Sequence, residues 1–354
     1  MKVEHILIIR FSPLSDVVMT APVVHALATQ YPDVRITMLS CEEARPLFER
    51  MPANVGFMSA DLKKEYYGVK GLNALYRRLT AKNFTHIADF HSVLKSDYLR
   101  MRFNIDRFKV AHVDKHRSMR RQLTARSNKR REQMPTVFES YADVLGRLGY
   151  PVNLDDVPTT IFGGITGEPL PVEAGHAKRE GERWIGIAPF GGFEGKTYPT
   201  QLMEDVLSEL ADRHAGARFF LFAESEDDRL QLDEWCCRHD NCVNASCLEG
   251  GLYAGLSLMA RLDLMITMDN LFMHLASVVA APVLSVWGAT HPYGGHTGWR
   301  QTGDSFIQVE LPCRPCSIHG RKDCIVGGYP CMKGITNKQI VLKAESLLGC
   351  RGTV

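Results

Sequence analysis

The arrangement of apolar residues constrains this chain more than any other feature. Short, nearly unbroken apolar runs occur at residues 6–11, 35–40, 85–90 and 108–113, separated by longer amphipathic stretches, and the pattern restarts at 184–190, 218–224, 262–269 and 283–288. A strand with helices on both faces has no solvent side, so it reads as a continuous apolar run. Such runs alternating with helical periodicity predict strand, crossover helix and parallel strand. Two series therefore predict an α/β chain with two parallel sheets. The length agrees, because 354 residues exceed what one hydrophobic core usually serves. The first domain is placed at 1–165 and the second at 184–336. They are joined by 166–183, part of a stretch rich in Gly, Pro and charge that begins near Ile161 and shows no periodicity. A final helix is predicted over 337–348, where Ile340, Leu342, Ala344 and Leu347 recur at helical spacing, followed by a tail to 354.

With 45% hydrophobic and 23% charged residues, the composition excludes long disorder and collagen-like or coiled-coil repeats. The opening MKVEHILIIRF is too short an apolar stretch for a signal peptide or a span. No other run approaches the ~18 apolar residues of a membrane helix. A cytoplasmic protein is expected, with any membrane contact peripheral. Ten Cys in that setting predict reduced thiols or a metal site, not a disulfide framework. The net charge is only +2, yet twelve Lys and Arg fall between Arg100 and Arg131, against Asp106 and Asp114. This stretch is either a solvated basic loop or an attractor of phosphate-rich or anionic-membrane partners. It is poor in aromatics for base stacking, so no nucleic-acid partner is expected.

Three segments carry the chemistry. In ILIIRFSPLSDVVMTAPVV a strand leads through a tight loop at 12–15 into a helix beginning near Asp16. Ligands of open parallel sheets bind at the carboxyl ends of the strands. Asp16 is therefore either a helix N-cap or a base able to take a proton from a hydroxyl. In WIGIAPFGGFEGKTYP a strand runs into a Gly-rich loop with the single cation Lys196, a plain surface loop or a phosphate cradle, and its spacing is not that of a Walker motif. In LMITMDNLFMHLASVV a strand ends at Asp269 and a helix bearing His274 follows at once. The start of that helix is expected to offer unpaired N–H groups to a pyrophosphate, with His274 either reaching the same ligand or simply buried.

Taken in order, these segments resemble glycosyltransferase family 9, the ADP-heptose:lipopolysaccharide heptosyltransferases, over nearly the whole chain. The resemblance implies the GT-B fold, two facing Rossmann-like domains with a cleft between them. It implies an acceptor-binding first domain, a nucleotide-sugar-binding second domain and an inverting transfer that requires no metal. Asp16 stands where the family has its catalytic base and Lys196 where it has its phosphate-binding lysine, while Asp269, Asn270 and His274 fall in the donor-phosphate motif. Glu224, closing FFLFAE, matches a carboxylate that contacts the donor ribose or base. The implied partners are an ADP-sugar donor, a phosphorylated glycolipid acceptor and the anionic face of the inner membrane. The stretch between Arg100 and Arg131 is the candidate for the acceptor. The chain departs from the family pattern at Ser15, where a glycine is usual, and at Asn270 and Leu271, where the family has Ser or Thr and a small residue. Those departures leave open a weakened, nucleotide-sugar-binding or scaffolding relative, or a transferase using another donor sugar. A nicotinamide-dependent oxidoreductase is not expected, because no G-x-G-x-x-G follows the first strand.

A fourth feature is LPCRPCSIHGRKDCIVGGYPCMKGI, in which Cys313, Cys316, Cys324 and Cys331 form a C-x2-C-x7-C-x6-C array. Four thiolates can hold a structural zinc, although the second pair is wider than zinc ribbons use; packed free thiols are the alternative. A Cys-rich segment also recurs in the resembled family as a local feature of its donor domain.

Overall fold

The computed structural model describes residues 4–349. In chain order the first half contains β1 (His5–Ile9), α1 (Leu14–Val18), α2 (Ala21–Gln30), β2 (Arg35–Ser40), β3 (Val55–Ser59), α3 (Gly68–Thr80), β4 (His86–Asp89), α4 (Leu94–Ile105), β5 (Lys109–His112), α5 (Arg117–Leu123) and α6 (Val137–Leu148). The second half contains β6 (Trp184–Ala188), α7 (Thr200–Arg213), β7 (Arg218–Leu221), α8 (Glu226–Arg238), β8 (Cys242–Asn244), α9 (Gly251–Met259), β9 (Leu264–Met268), α10 (Leu271–Val278), β10 (Val283–Val286), β11 (Phe306–Ile307), α11 (Pro330–Lys333) and α12 (Asn337–Gly349). Two compact units result, one of residues 1–115 and 135–162, the other of 116–134 and 163–354.

The first unit is built on a parallel sheet of order β3-β2-β1-β4-β5, with Ile6 of β1 paired to Ile36 on one side and His86 on the other. Every residue of β1 is buried, which is why HILII reads as an apolar run. Leu7 and Ile9 pack with Leu75, Leu79, Leu99 and Phe103 from α3 and α4. The second unit repeats the plan in a parallel sheet of order β11-β10-β9-β6-β7-β8. Ile185 and Ile187 pack there with Met203, Leu207 and Leu210 of α7 and with Ile340, Val341 and Ala344 of α12. In both sheets the unit's first strand is central and the strand order reverses beside it, between β1 and β4 and between β6 and β9. Crevices at the carboxyl ends of such strands receive the ligands of open α/β sheets.

The structure differs from the sequence reading in three places. First, β3, β8 and β11 are additional strands, each at a sheet edge and only partly buried, so none carries an unbroken apolar run. Second, the segment His116–Met134 belongs with the second unit. It is tied there by Lys129, which donates to the carbonyls of Cys313 and Pro315 at 2.6 and 2.7 Å, and by Met134 N–H to the Tyr293 carbonyl at 3.0 Å. Third, α12 buries Ile340, Val341, Ala344 and Leu348 while Leu342 is exposed, so its inner face lies one step round from the predicted one. Among the described residues no helix is long and apolar enough to cross a membrane.

Candidate active site

In the first unit the chain leaves β1 through Arg10 and turns into α1. Pro13 is the N-cap and Asp16 the third helical residue, so Asp16 is not the cap the sequence suggested. Ser15 lies inside α1 and is not among the residues with positive φ, so the position a family glycine would hold asks nothing that serine cannot adopt. Arg10, itself buried, donates one guanidinium nitrogen to the Asp16 carboxylate and another to the Phe90 carbonyl at 2.9 Å, linking the ends of β1 and β4. The Asp16 side chain keeps 23% of its surface, enough to meet a hydroxyl.

At the end of β4, the fully buried Asp89 accepts from the backbone N–H groups of His91 and Ser92, both at 2.9 Å, and pairs with Arg100 at 3.4 Å. This turn sets His91 beside the Arg10–Asp16 pair. Burial, with Arg10 and Lys115 nearby, pushes the His91 imidazole down to about 3, with Asp16 opposing. The ring is therefore neutral at physiological pH and able to accept a hydrogen bond as well as donate one. Sequence reasoning passed over Arg10, Asp89 and His91, and named Arg100 only as the start of the basic stretch. The available signal was their position, each within one helical turn or loop of the carboxyl end of β1 or β4.

In the second unit Lys196 follows β6 and Asp269 follows β9, and their side chains pair at 3.3 Å with both nearly buried. Glu224, beyond β7, accepts the Leu271 backbone N–H, and burial of its carboxyl raises its pKa while Lys196 lowers it. Asn270 caps α10: its Oδ1 accepts from Phe272 N–H at 2.9 Å and Met273 N–H at 3.2 Å, and its Nδ2 donates to the Phe190 carbonyl at 2.8 Å. The opening N–H groups of α10 are thus already engaged, which corrects the expectation of a helix start with unpaired donors. Its positive dipole end remains. The Leu271 side chain turns into the protein and is buried, and His274 lies buried in the first turn of α10.

The loops around Lys196 show what the Cys-rich segment does. A Cβ on Gly320 would come within 2.5 Å of Lys196 Cγ and Cδ, and one on Gly195 within 2.9 Å of the Tyr329 ring. Gly320 also has φ +75°, a backbone angle that suits glycine. The segment forms the wall along which the lysine stem runs. Arg314, within it, is 1% exposed and donates to the carbonyls of Gly288 at 2.5 Å and Thr290 at 3.1 Å, holding the loop after β10. The described cysteines are free thiols, with burial pushing Cys331 up to about 11. Among the described residues, no group of three or more His, Cys, Asp or Glu is placed to hold a metal ion; Cys313, Cys316 and Cys324 lie near enough to Cys331 to act on its thiol electrostatically.

The basic stretch is divided between the two units. Arg100, Arg102, Arg107, Lys109 and Lys115 belong to the first unit and Arg117 to Arg131 to the second. Arg131 is committed to Glu310 at 3.3 Å and to the Leu311 carbonyl at 2.6 Å.

Two buried histidines, one in each unit, make stability acid-sensitive. His91 is pushed down to about 3 and His291 to about 4, the latter by burial and then by Arg314, Arg131 and Lys129. Above pH ~6.5 both are neutral folded or unfolded. As pH falls below that value the unfolded chain takes up protons that the folded one refuses, so stability drops until the folded values are reached. From pH 7 to 5 the loss is about 2 kcal/mol per histidine. Asp89 and Glu224, both raised by burial, act in the opposite sense. Urea midpoints at pH 7.5 and 5.0 check this on single variants, and His91→Asn and His291→Asn should each flatten the dependence. A slope unchanged in both variants would remove the assignment.

Two parallel α/β units of this strand order, with charged side chains gathered where each order reverses, define the GT-B architecture of glycosyltransferases. Residues 72–329 match the family described as glycosyltransferase family 9 (heptosyltransferase). The chain belongs to that family. Lipooligosaccharide heptosyltransferase 2 of Campylobacter jejuni is 28% identical over 90 residues, which are 25% of this chain and 27% of that protein. Among solved structures, a family 9 glycosyl transferase from Veillonella parvula superposes with a TM-score of 0.72 at 17% identity, covering 98% of both chains. The ADP-heptose lps heptosyltransferase II of E. coli does so with 0.68 at 17%, covering 98% of this chain and 99% of its own.

Proposed function

We propose that the protein is an inverting glycosyltransferase that moves a heptose from an ADP-sugar to a lipopolysaccharide core or related glycolipid. The observation that carries this reading is the parallel placement of Asp16 after β1 and of the Lys196–Asp269 pair after β6 and β9, each at the reversal of strand order in a GT-B unit. Asp16 takes the acceptor hydroxyl proton as that oxygen attacks the anomeric carbon. The bond from that carbon to the diphosphate oxygen breaks and ADP departs, inverting the configuration. Neutral His91 orients the hydroxyl, and Arg10 holds the base. Lys196, released from Asp269 by the arriving diphosphate, meets the charge that grows on the leaving group, with the dipole of α10 behind it, so the reaction proceeds without a metal. Glu224 accepts from the ribose hydroxyls. Asn270 and His274 shape the start of α10 beneath the donor. The name of the E. coli neighbour, which carries both ADP-heptose and lps, supports this choice of donor and acceptor.

The test is calorimetric titration with ADP and UDP, followed by transfer from ADP-heptose to heptose-deficient lipopolysaccharide in the presence of EDTA. Preferential ADP binding and product with a reversed anomeric configuration are expected. ADP binding without any transfer would leave only a nucleotide-binding protein, and equal or absent binding of both nucleotides would reject the donor assignment.

A further inference from the structure

The thiols of the Cys-rich segment take no part in the proposed transfer, yet two of them stand in surroundings that suit chemistry. Cys313 is half-buried, and three cations crowd the backbone around it. Lys129 donates to its carbonyl at 2.6 Å and to that of Pro315 at 2.7 Å, and Arg131 donates to the Leu311 carbonyl at 2.6 Å. Arg314, the next residue, gives its guanidinium to the carbonyls of Trp287, Gly288, Thr290 and Val309 and to the Gln308 amide oxygen, all of them neutral. The acidic neighbour, Glu310, is paired with Arg131. An electropositive and partly open site of this kind favours the thiolate, which is the nucleophilic form of cysteine. Three residues on, Cys316 is also half-buried and near enough to Cys313 for the two thiols to act on each other electrostatically. Burial raises the Cys316 pKa and Lys129 opposes that rise.

Cys316 also grips the loop beside Lys196. Its backbone N–H and that of Ser317 donate to the Ala289 carbonyl at 3.1 and 3.2 Å, and its Sγ lies 3.9 Å from the same oxygen. The Ala289 N–H in turn donates to the Gly195 carbonyl at 2.8 Å, and Gly195 precedes Lys196. The packing along this path is tight. A Cβ on Gly288 would come 2.6 Å from the Gly195 oxygen, and one on Gly195 would come 2.8 Å from the Ala289 Cβ. A bond from Cys316 to Cys313 would remove the S–H that faces Ala289 and turn the sulfur toward its new partner. Close-packed interiors transmit such a shift.

We propose that Cys313 and Cys316 form a peroxide-sensitive dithiol whose oxidation displaces Lys196 and weakens donor binding. The Cys313 thiolate attacks one oxygen of hydrogen peroxide, the O–O bond breaks, and hydroxide leaves to become water, with a sulfenic acid left on Cys313. Cys316, having given up its proton, attacks that sulfur; the S–O bond breaks, a second hydroxide leaves as water, and the disulfide forms. The two thiols lose two electrons and two protons, and the peroxide gains both. The dithiol stands on its own surroundings, whereas its consequence for Lys196 rests on the donor-phosphate reading.

Peptide mapping and ADP titration of the full chain, reduced and after hydrogen peroxide, test it. A Cys313–Cys316 disulfide should form, ADP affinity should fall by about tenfold or more, and a dithiol reductant should restore both. Cys313→Ser should bind ADP alike before and after peroxide, and Lys129→Gln should form the disulfide more slowly. As a readout that needs no nucleotide, backbone hydrogen exchange at Ala289 and Cys316 should quicken on oxidation. Both thiols still reduced under peroxide that oxidises the exposed Cys237 would overturn the proposal. So would a disulfide that leaves ADP affinity unchanged, or a stoichiometric transition metal held by these thiols in the purified protein. If the reduced protein binds no ADP, the donor reading fails by itself, and unchanged exchange on oxidation would then sink the switch.

Discussion

Asp16→Asn lowers the turnover of sugar transfer by about 100-fold or more, the scale expected for loss of a general base. That corresponds to about 2.7 kcal/mol of transition-state stabilisation. Asparagine keeps the size of the side chain and an oxygen that can accept from Arg10, but it cannot take a proton at neutral pH. The substitution also removes the negative partner of a guanidinium whose residue is only 8% exposed, so some loss of stability in the first unit accompanies it. The two effects are separable, because the Lys196–Asp269 pair belongs to the other unit. Donor affinity, measured by ADP titration, should therefore stay within about threefold, while kcat falls with little change in KM for the donor. Circular dichroism confirms the folded fraction. Turnover within about tenfold of wild type in folded protein would show that Asp16 is not the base, and His91 would be the next group to examine.

What could be read from the chain alone follows a physical division. Strands with helices on both sides bury every residue, so β1, β6 and β9 announced themselves as apolar runs. The strands that went unread, β3, β8 and β11, sit at sheet edges, where one side of the ladder is open and half-buried mixed residues suffice. Within the candidate site, Asp16, Lys196 and Asp269 could be singled out because each lies in the segment that follows a legible strand. Their partners could not. Arg10 looks like any polar residue ending a strand until Phe90 and Asp16 are seen around it. Gly320 looks like a loop glycine in a Cys-rich tract, and only the fold brings it against the stem of Lys196. The start of α10 was misread because the sequence shows Asn270 but not which of its possible bonds it makes. Both its cap geometry and the seat of Glu224 on Leu271 N–H depend on β6 and β7 lying beside β9.

Lys196→Met lowers kcat/KM for the donor by about 100- to 1000-fold, the range found when a preorganised donor to developing negative charge is removed. Lys196 pairs with Asp269 and acts electrostatically on Glu224, whose pKa burial raises and Lys196 opposes. Methionine fills the same channel without charge, so the donor diphosphate would meet two carboxylates without that cation. The loss should therefore divide between weaker ADP binding and slower transfer, unlike the turnover defect expected of Asp16→Asn. Gly320→Ala tests the same group from a distance. A Cβ there would overlap Lys196 Cγ and Cδ at 2.5 Å, and the φ of +75° adds strain, so the stem must swing away. If the position of the ammonium matters, Gly320→Ala reproduces the Lys196→Met defect in kind although residue 320 bears no chemistry, and combining the two substitutions adds little. Independent, additive losses in the double variant would mean that Gly320 serves only the stability of its loop. A Lys196→Met variant with donor kinetics near wild type would move the phosphate site elsewhere in the second unit.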